Sequence, residues 1–200
     1  MPGEPKTRRG RASRDRIVER AADLFAERGI AATSVEEVLA AAAAGKGQFY
    51  HYFDSRDELA AAAVRYRCGQ VVAGLTQALG EVSSLAELEQ ALAGFVADFE
   101  RMGLPGCPIG TLATEVAGRN EEARQQAAAG FDAWERLLAN ALERMRERGE
   151  LRPDARPDVL ATGLLASIEG GMVLSQARRD MASLRIAVQA GLGSVRASLS

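Results

Sequence analysis

Apolar residues recur at intervals of three and four through most of the chain, and the strict alternation of a half-buried strand, with its Asn-Gly or Asp-Gly turns, is absent. The pattern predicts an all-α protein of about nine helices. Ile17, Val18, Ala21, Leu24 and Phe25 form one face of a first helix over 13–28, stopped by Gly29. Val35, Val38, Leu39 and Ala42 make the stripe of a short second helix, which Thr33 or Ser34 can cap, with Glu36 and Glu37 in the first turn where the helix dipole favours acid. A tight turn leads to a third short helix over 46–53, with Phe49 and Phe53 on its inward side. Ser55-Arg-Asp-Glu58 then has the form of a capping box opening a long fourth helix to about Leu79.

The same grammar continues. Ser84-Leu-Ala-Glu87 starts a helix to about Met102, the breaker GLPGCP follows, and a short helix spans Pro108 to Val116. Asn120 can cap a long helix whose inward face is Phe131, Trp134, Leu137, Leu138, Ala141, Leu142 and Met145, closed by Gly149. Two final helices, near 157–178 and 181–198, are apolar on more than one face and carry Leu160, Leu164, Ile168, Leu174, Leu184, Val188, Leu192 and Val195. Apolar surface in excess of one face calls for a partner.

Charge changes the picture at one end only. The net charge is −2, yet residues 1–16 hold Lys6, Arg8, Arg9, Arg11, Arg14 and Arg16 against Glu4 and Asp15. Residues 1–12 read as a basic flexible arm, and two roles stand equally: an arm that follows phosphates, or a solvated tail. One His, two isolated cysteines and no CxxC argue against a metal site, a disulfide framework or a cofactor, and no acid, base and nucleophile set converges. An enzyme is not expected. No uninterrupted apolar run reaches a membrane span, and the N-terminus lacks the apolar stretch of a signal peptide, so no membrane partner and a cytoplasmic location are expected.

A short helix, a tight turn and a second short helix, set ahead of a long one, is the layout of a helix-turn-helix. A helix entering the major groove must present polar groups near its N-terminus, and Lys46, Gln48, Tyr50 and His51 are of suitable type, while Gly47 lets the backbone come close. A cluster such as FYHYF also suits a plain core, and a lone His an ordinary surface. The order of elements, with a basic end in front, tips the reading towards DNA.

Those residues carry a family resemblance. GIAATSVEEVLAAAAAGKGQFYHYFDSRDEL, within a match over about 14–63, resembles the N-terminal signature of the TetR (tetracycline-repressor-like) family of bacterial transcription regulators. The shared features are the RxxIxxAAxxLFxxxG helix, the TS cap, the KG before the reading helix, the YxxF spacing and the start of the fourth helix. The resemblance implies a DNA-binding domain over 13–54 and a helical effector-binding and dimerisation domain over 55–200. It also implies a homodimer through the last two helices at Leu160, Leu164, Ile168, Leu184, Val188, Leu192 and Val195. Lys46, Gln48, Tyr50, His51 and Tyr52 would contact DNA, with Thr33, Ser34 and Arg56 placed for phosphates. A palindromic operator would be released, in a repressor, when a small effector binds. Where the family has glycine, an apolar residue and a serine-like cap, this chain has Ala43, Ala44 and Gly45. A left-handed Ala43 costs about 1–2 kcal/mol, unless the turn moves its strain to Gly45.

For a small apolar or amphipathic effector, Phe95, Phe99, Met102, Cys107, Leu112, Trp134, Leu138 and Met172 are the candidate lining, although residues of this type at helical spacing equally make plain core. Glu115 and Glu169 suit either a cationic ligand or solvent. Cys107, at a helix N-terminus, is either an electrophile or redox sensor or a buried inert thiol.

Overall fold

The computed structural model describes residues 5, 7–104 and 106–200; Glu4 and Lys6 of the expected arm lie outside them. Among the described residues the chain forms α1 (Arg8–Arg28), α2 (Val35–Ala41), α3 (Lys46–Tyr52), α4 (Arg56–Leu79), α5 (Leu85–Arg101), α6 (Pro108–Val116), α7 (Glu121–Glu147), α8 (Pro157–Arg178) and α9 (Ala182–Arg196). One isolated antiparallel bridge joins Leu151 to Leu199. The all-α expectation holds.

The chain divides into two compact units, Met1–Val71 with Pro108–Gly130, and Val72–Cys107 with Phe131–Ser200. The boundary expected at 54/55 falls inside the first unit, because α4 opens with a run, Leu59–Val64, that is buried all round.

In the first unit α1 starts five residues ahead of expectation. Thr7 Oγ1 accepts from the Gly10 N–H at 3.0 Å, a side-chain cap that draws Arg8, Arg9 and Arg11 into the helix instead of a flexible arm. Ile17, Val18, Ala21 and Phe25 are buried as read, and Arg67 of α4 donates to Asp23 at 3.1 Å and to the Ala22 carbonyl at 3.3 Å, fastening α4 to α1. Ser34, rather than Thr33, caps α2 in a full capping box with Glu37. Further along, Gly130 lies so close to Cys68 that a Cβ there would meet its Sγ at 2.8 Å; burial pushes that thiol up to about 11.

In the second unit Leu88, Leu92, Val96 and Phe99 of α5, Trp134, Leu138, Leu142 and Met145 of α7, and the facing sides of α8 and α9 form the core. Two glycines let α8 and α9 approach. A Cβ on Gly171 would meet the Ala187 Cβ at 2.8 Å and the Leu184 Cα at 2.9 Å, and one on Gly191 would meet the Leu164 Cδ1 at 2.7 Å. Ser175, fully buried, accepts the Leu184 N–H at 2.9 Å and closes the start of α9.

This packing corrects the expected interface residues. Leu164, Ile168, Leu184, Val188, Leu192 and Val195 are all buried inside the unit, and Leu160 is half-buried. The outer face is a different set: Val159, Gly163, Ala166, Gly170, Val173 and Ala177 on α8, and Ala182, Ile186, Ala190 and Gly193 on α9 with Ala197 just past its end, every one exposed. By length and composition α8 is also apolar enough to cross a membrane. Its two apolar sides account for that: one is core against α9, the other is this outer face.

Candidate nucleic-acid interface

The reading helix is set by the turn before it. Ala43 takes the left-handed conformation, φ 47°, and the Ala44 N–H bonds the Leu39 carbonyl at 2.9 Å while the Ala43 N–H bonds that of Ala40 at 3.2 Å. This is the six-to-one, five-to-two pairing that normally ends in glycine. Gly45 is ordinary extended backbone, φ −91° and ψ 160°, so the strain rests on Ala43. Arg16 of α1 donates to the Ala42 carbonyl at 2.8 Å and holds the end of α2.

Gln48 belongs to this framework. Its Oε1 accepts from the Gly45 N–H at 2.9 Å, and its Nε2 donates to the Oγ of Ser13, a buried residue of α1, at 3.1 Å. The amide expected to read bases is thus engaged in capping α3 and tying it to α1. Nothing in the sequence spacing marks Ser13 as a serine that faces another helix.

On α3 the two faces separate cleanly. Phe49 and Phe53 are buried with ring centroids 5.6 Å apart, and Arg14 lies 5.2 Å over the Phe53 ring, a cation–π contact. Tyr52, expected at the DNA, is buried beside them and serves as packing. Outward point Lys46, Gly47, Tyr50 and His51; Tyr50 is 70% exposed, and no atom lies within 4 Å of where a Gly47 Cβ would stand. A cleft of about 320 Å³ runs between α2, α3 and the start of α4, lined by Glu36, Lys46, Tyr50 and Arg56 among others. Lys46 Nζ lies 3.1 Å from Glu36 Oε1.

The residues expected at phosphates fare differently. Thr33 is buried and its hydroxyl donates to the Gly29 carbonyl at 2.8 Å. Arg56 donates to the carbonyls of Ile30 and, at 3.1 Å, Thr33, so it braces the α1–α2 connection. Ser34 stays exposed at the N-terminus of α2, where a phosphate could also sit. Arg8, Arg9 and Arg11 are exposed on the first turn of α1. Glu115, weighed as a ligand contact, instead accepts the Ala31 N–H at 2.7 Å, and Asn120 donates to the Asp57 carbonyl at 2.9 Å while capping α7.

Of the candidate effector lining, Phe99, Cys107, Trp134, Leu138 and Met172 are buried in the second unit, and the Phe95 and Trp134 rings lie 5.8 Å apart. Met102 is 63% exposed and is not lining; Leu112 is buried in the first unit. Two polar atoms here are buried without a partner among the described residues, Trp134 Nε1 and Glu169 Oε1. Burial pushes the Glu169 carboxyl up, an effect partly offset by a hydrogen bond with Cys107.

Residues 17–63 match the family described as bacterial regulatory proteins, tetR family, and residues 84–190 match the C-terminal domain of LmrA/YxaF-like transcriptional regulators. An HTH-type transcriptional regulator of Mycobacterium tuberculosis strain H37Rv is 34% identical over 182 residues, covering 86% of this chain and 88% of the relative. The HTH-type transcriptional repressor DhaR of Mycobacterium sp. strain GP1 is 26% identical, covering 84% of each. A crystal structure of a TetR-family regulator from Cytophaga hutchinsonii superposes with a TM-score of 0.82 at 20% identity, covering 98% of both chains.

Proposed function

Because the chain belongs to the TetR family of bacterial transcriptional regulators, we propose that it is a repressor that binds a palindromic operator as a dimer and leaves it when a small molecule occupies the second unit. The observation that carries the DNA reading is α3 itself. Its buried Phe49 and Tyr52 fix its roll, which turns Lys46 outward at the N-terminal end, where a reading helix meets base edges, and Tyr50 and His51 outward in the last turn. Repression is taken from the name of the relative DhaR.

Dimerisation rests on exposed apolar surface. Four of the six large exposed hydrophobics among the described residues, Val159, Val173, Leu174 and Ile186, lie on α8 and α9. Between them run open glycines and alanines that allow helices of a second copy to come close. Twofold symmetry would set two reading helices about one DNA turn apart, roughly 34 Å.

The effector reading rests on Trp134 and Glu169. An unpaired buried N–H and an unpaired carboxyl oxygen each carry a desolvation cost of about 1–3 kcal/mol. A small amphipathic molecule that offers an acceptor to the indole or a donor to the carboxyl would relieve that cost. Cys107 is buried and hydrogen-bonded with that carboxyl, out of reach of reagents in solution, so effector binding is preferred here to electrophile sensing.

The test is selection from a pool of random duplexes by the purified protein and by the Lys46→Ala, Tyr50→Ala double variant. An enriched palindrome that disappears with the double variant supports the proposal. Sequence-independent binding, equal in both proteins and lost at high salt, would refute it.

A further inference from the structure

We propose that Glu36 is a specificity-determining residue of the DNA-binding head, acting by holding Lys46 back from phosphates until a base edge takes it. The inference rests on the DNA-binding reading above and adds to it a residue on α2 that was not among the expected contacts.

The pair is unusual for where it stands. Lys46 is the first residue of α3 and Glu36 the second of α2. Their charged ends meet at 3.1 Å with side chains 70% and 65% exposed, on the cleft beside Tyr50. An ion pair so open adds little to stability. Its service to the fold is small: Glu37, its neighbour, makes the capping box with Ser34 and pairs with Arg28 at 3.3 Å, while Glu36 is exposed and, beyond Lys46, accepts from its own backbone N–H in the first turn of α2. Lys46, whose ammonium donates to it, is the chief cause that holds the Glu36 carboxyl below its usual range.

Composition sharpens the point. Of 25 cationic residues only Lys6 and Lys46 are lysines. A guanidinium at position 46 would bind a phosphate or carboxylate through a fixed fork, whereas an ammonium on a flexible stem exchanges partners readily. On arbitrary DNA, contact with a phosphate must draw Lys46 away from Glu36 and leave a carboxylate facing the backbone. That penalises non-specific binding. On an operator, base edges offset the loss: guanine O6 and N7 accept from an ammonium, and a cytosine N4 amino group donates to a carboxylate. Glu36 therefore widens the gap between right and wrong sequences without adding affinity of its own.

The experiment is equilibrium binding of the wild type, Glu36→Gln, Lys46→Ala and the double variant to the selected palindrome and to a scrambled duplex, over a salt series. Glu36→Gln is expected to bind the scrambled duplex about 3- to 10-fold more tightly, with a salt slope steeper by about 0.9, one phosphate contact. Its palindrome-to-scrambled ratio should fall by a similar factor. In the Lys46→Ala background the same substitution should leave scrambled binding nearly unchanged. An equal gain in both backgrounds would mean a general charge effect and overturn the proposal, as would an unchanged ratio. If the wild type enriches no palindrome, the DNA reading fails and this proposal with it; if it does and Glu36→Gln behaves as wild type, only the proposal fails.

Discussion

Ala43 is the residue whose backbone and side chain are in open conflict. At φ 47° an L-residue sits about 1–2 kcal/mol above its right-handed alternatives, and the two turn hydrogen bonds hold it there. Glycine removes the Cβ clash but loses more entropy on folding, about 0.5–1 kcal/mol, so relief should win by a narrow margin. Ala43→Gly is expected to raise Tm by roughly 2–4 °C, the shift that about 1 kcal/mol produces in a chain of this size. An unchanged or lower Tm would mean that Ala43 is not strained. Gln48 poses the converse question, since its type suits base reading while its hydrogen bonds go to Gly45 and Ser13. Gln48→Ala should lower Tm by a few degrees, as loss of a cap worth about 1 kcal/mol does, and weaken operator binding while every preferred base stays the same. A changed base preference on repeating the selection would restore Gln48 to the reading face.

At the scale of elements, much of the head could be read before any coordinates. The Thr33-or-Ser34 cap of α2, the Phe49 and Phe53 anchor and the α2–turn–α3 order follow from spacing and capping chemistry, which are local, while the choice of Ser34, in a box with Glu37, came with the structure. The rest depended on partners distant in sequence. That Thr33 turns to Gly29, that Arg56 braces carbonyls and that Tyr52 goes inward are decided by how α1 and α4 lie against the turn, which no window of ten residues contains. The same holds for α8, whose two apolar sides look alike until α9 takes one of them. The glycines on that shared side make the difference testable. Gly171→Ala gains about 1 kcal/mol of helix propensity but sets a methyl 2.9 Å from a backbone atom of α9, where overpacking costs about 1–3 kcal/mol. It should therefore lower Tm, while Gly74→Ala on α4, with nothing within 4 Å, should raise it. Equal shifts in both would show that α8 and α9 are not in such close contact.

For the whole molecule the decisive question is how the outer face of α8 and α9 is covered. Left in water, Val159, Val173, Leu174 and Ile186 form an apolar surface edged by small residues, and a surface of this kind marks an interaction site, here proposed for a second copy. Ile186 is the most exposed of the four, at 70%, so a charge there should not disturb the core of its own chain. If the face joins two copies, Ile186→Glu buries an unpaired carboxylate at the contact twice, once from each side of the twofold axis. The expected result is a fall in solution mass from twice 21.3 kDa to a single chain, measured by light scattering, with helical content by circular dichroism unchanged. DNA binding supplies the second half of the test. A lone head keeps its contacts to one half-site, so the variant should still bind a half-site duplex as the wild type does yet lose the extra affinity for the full palindrome, because the second head is no longer tethered beside the first. A variant that remains twice the chain mass would place the dimer contact elsewhere and leave this apolar face to another partner.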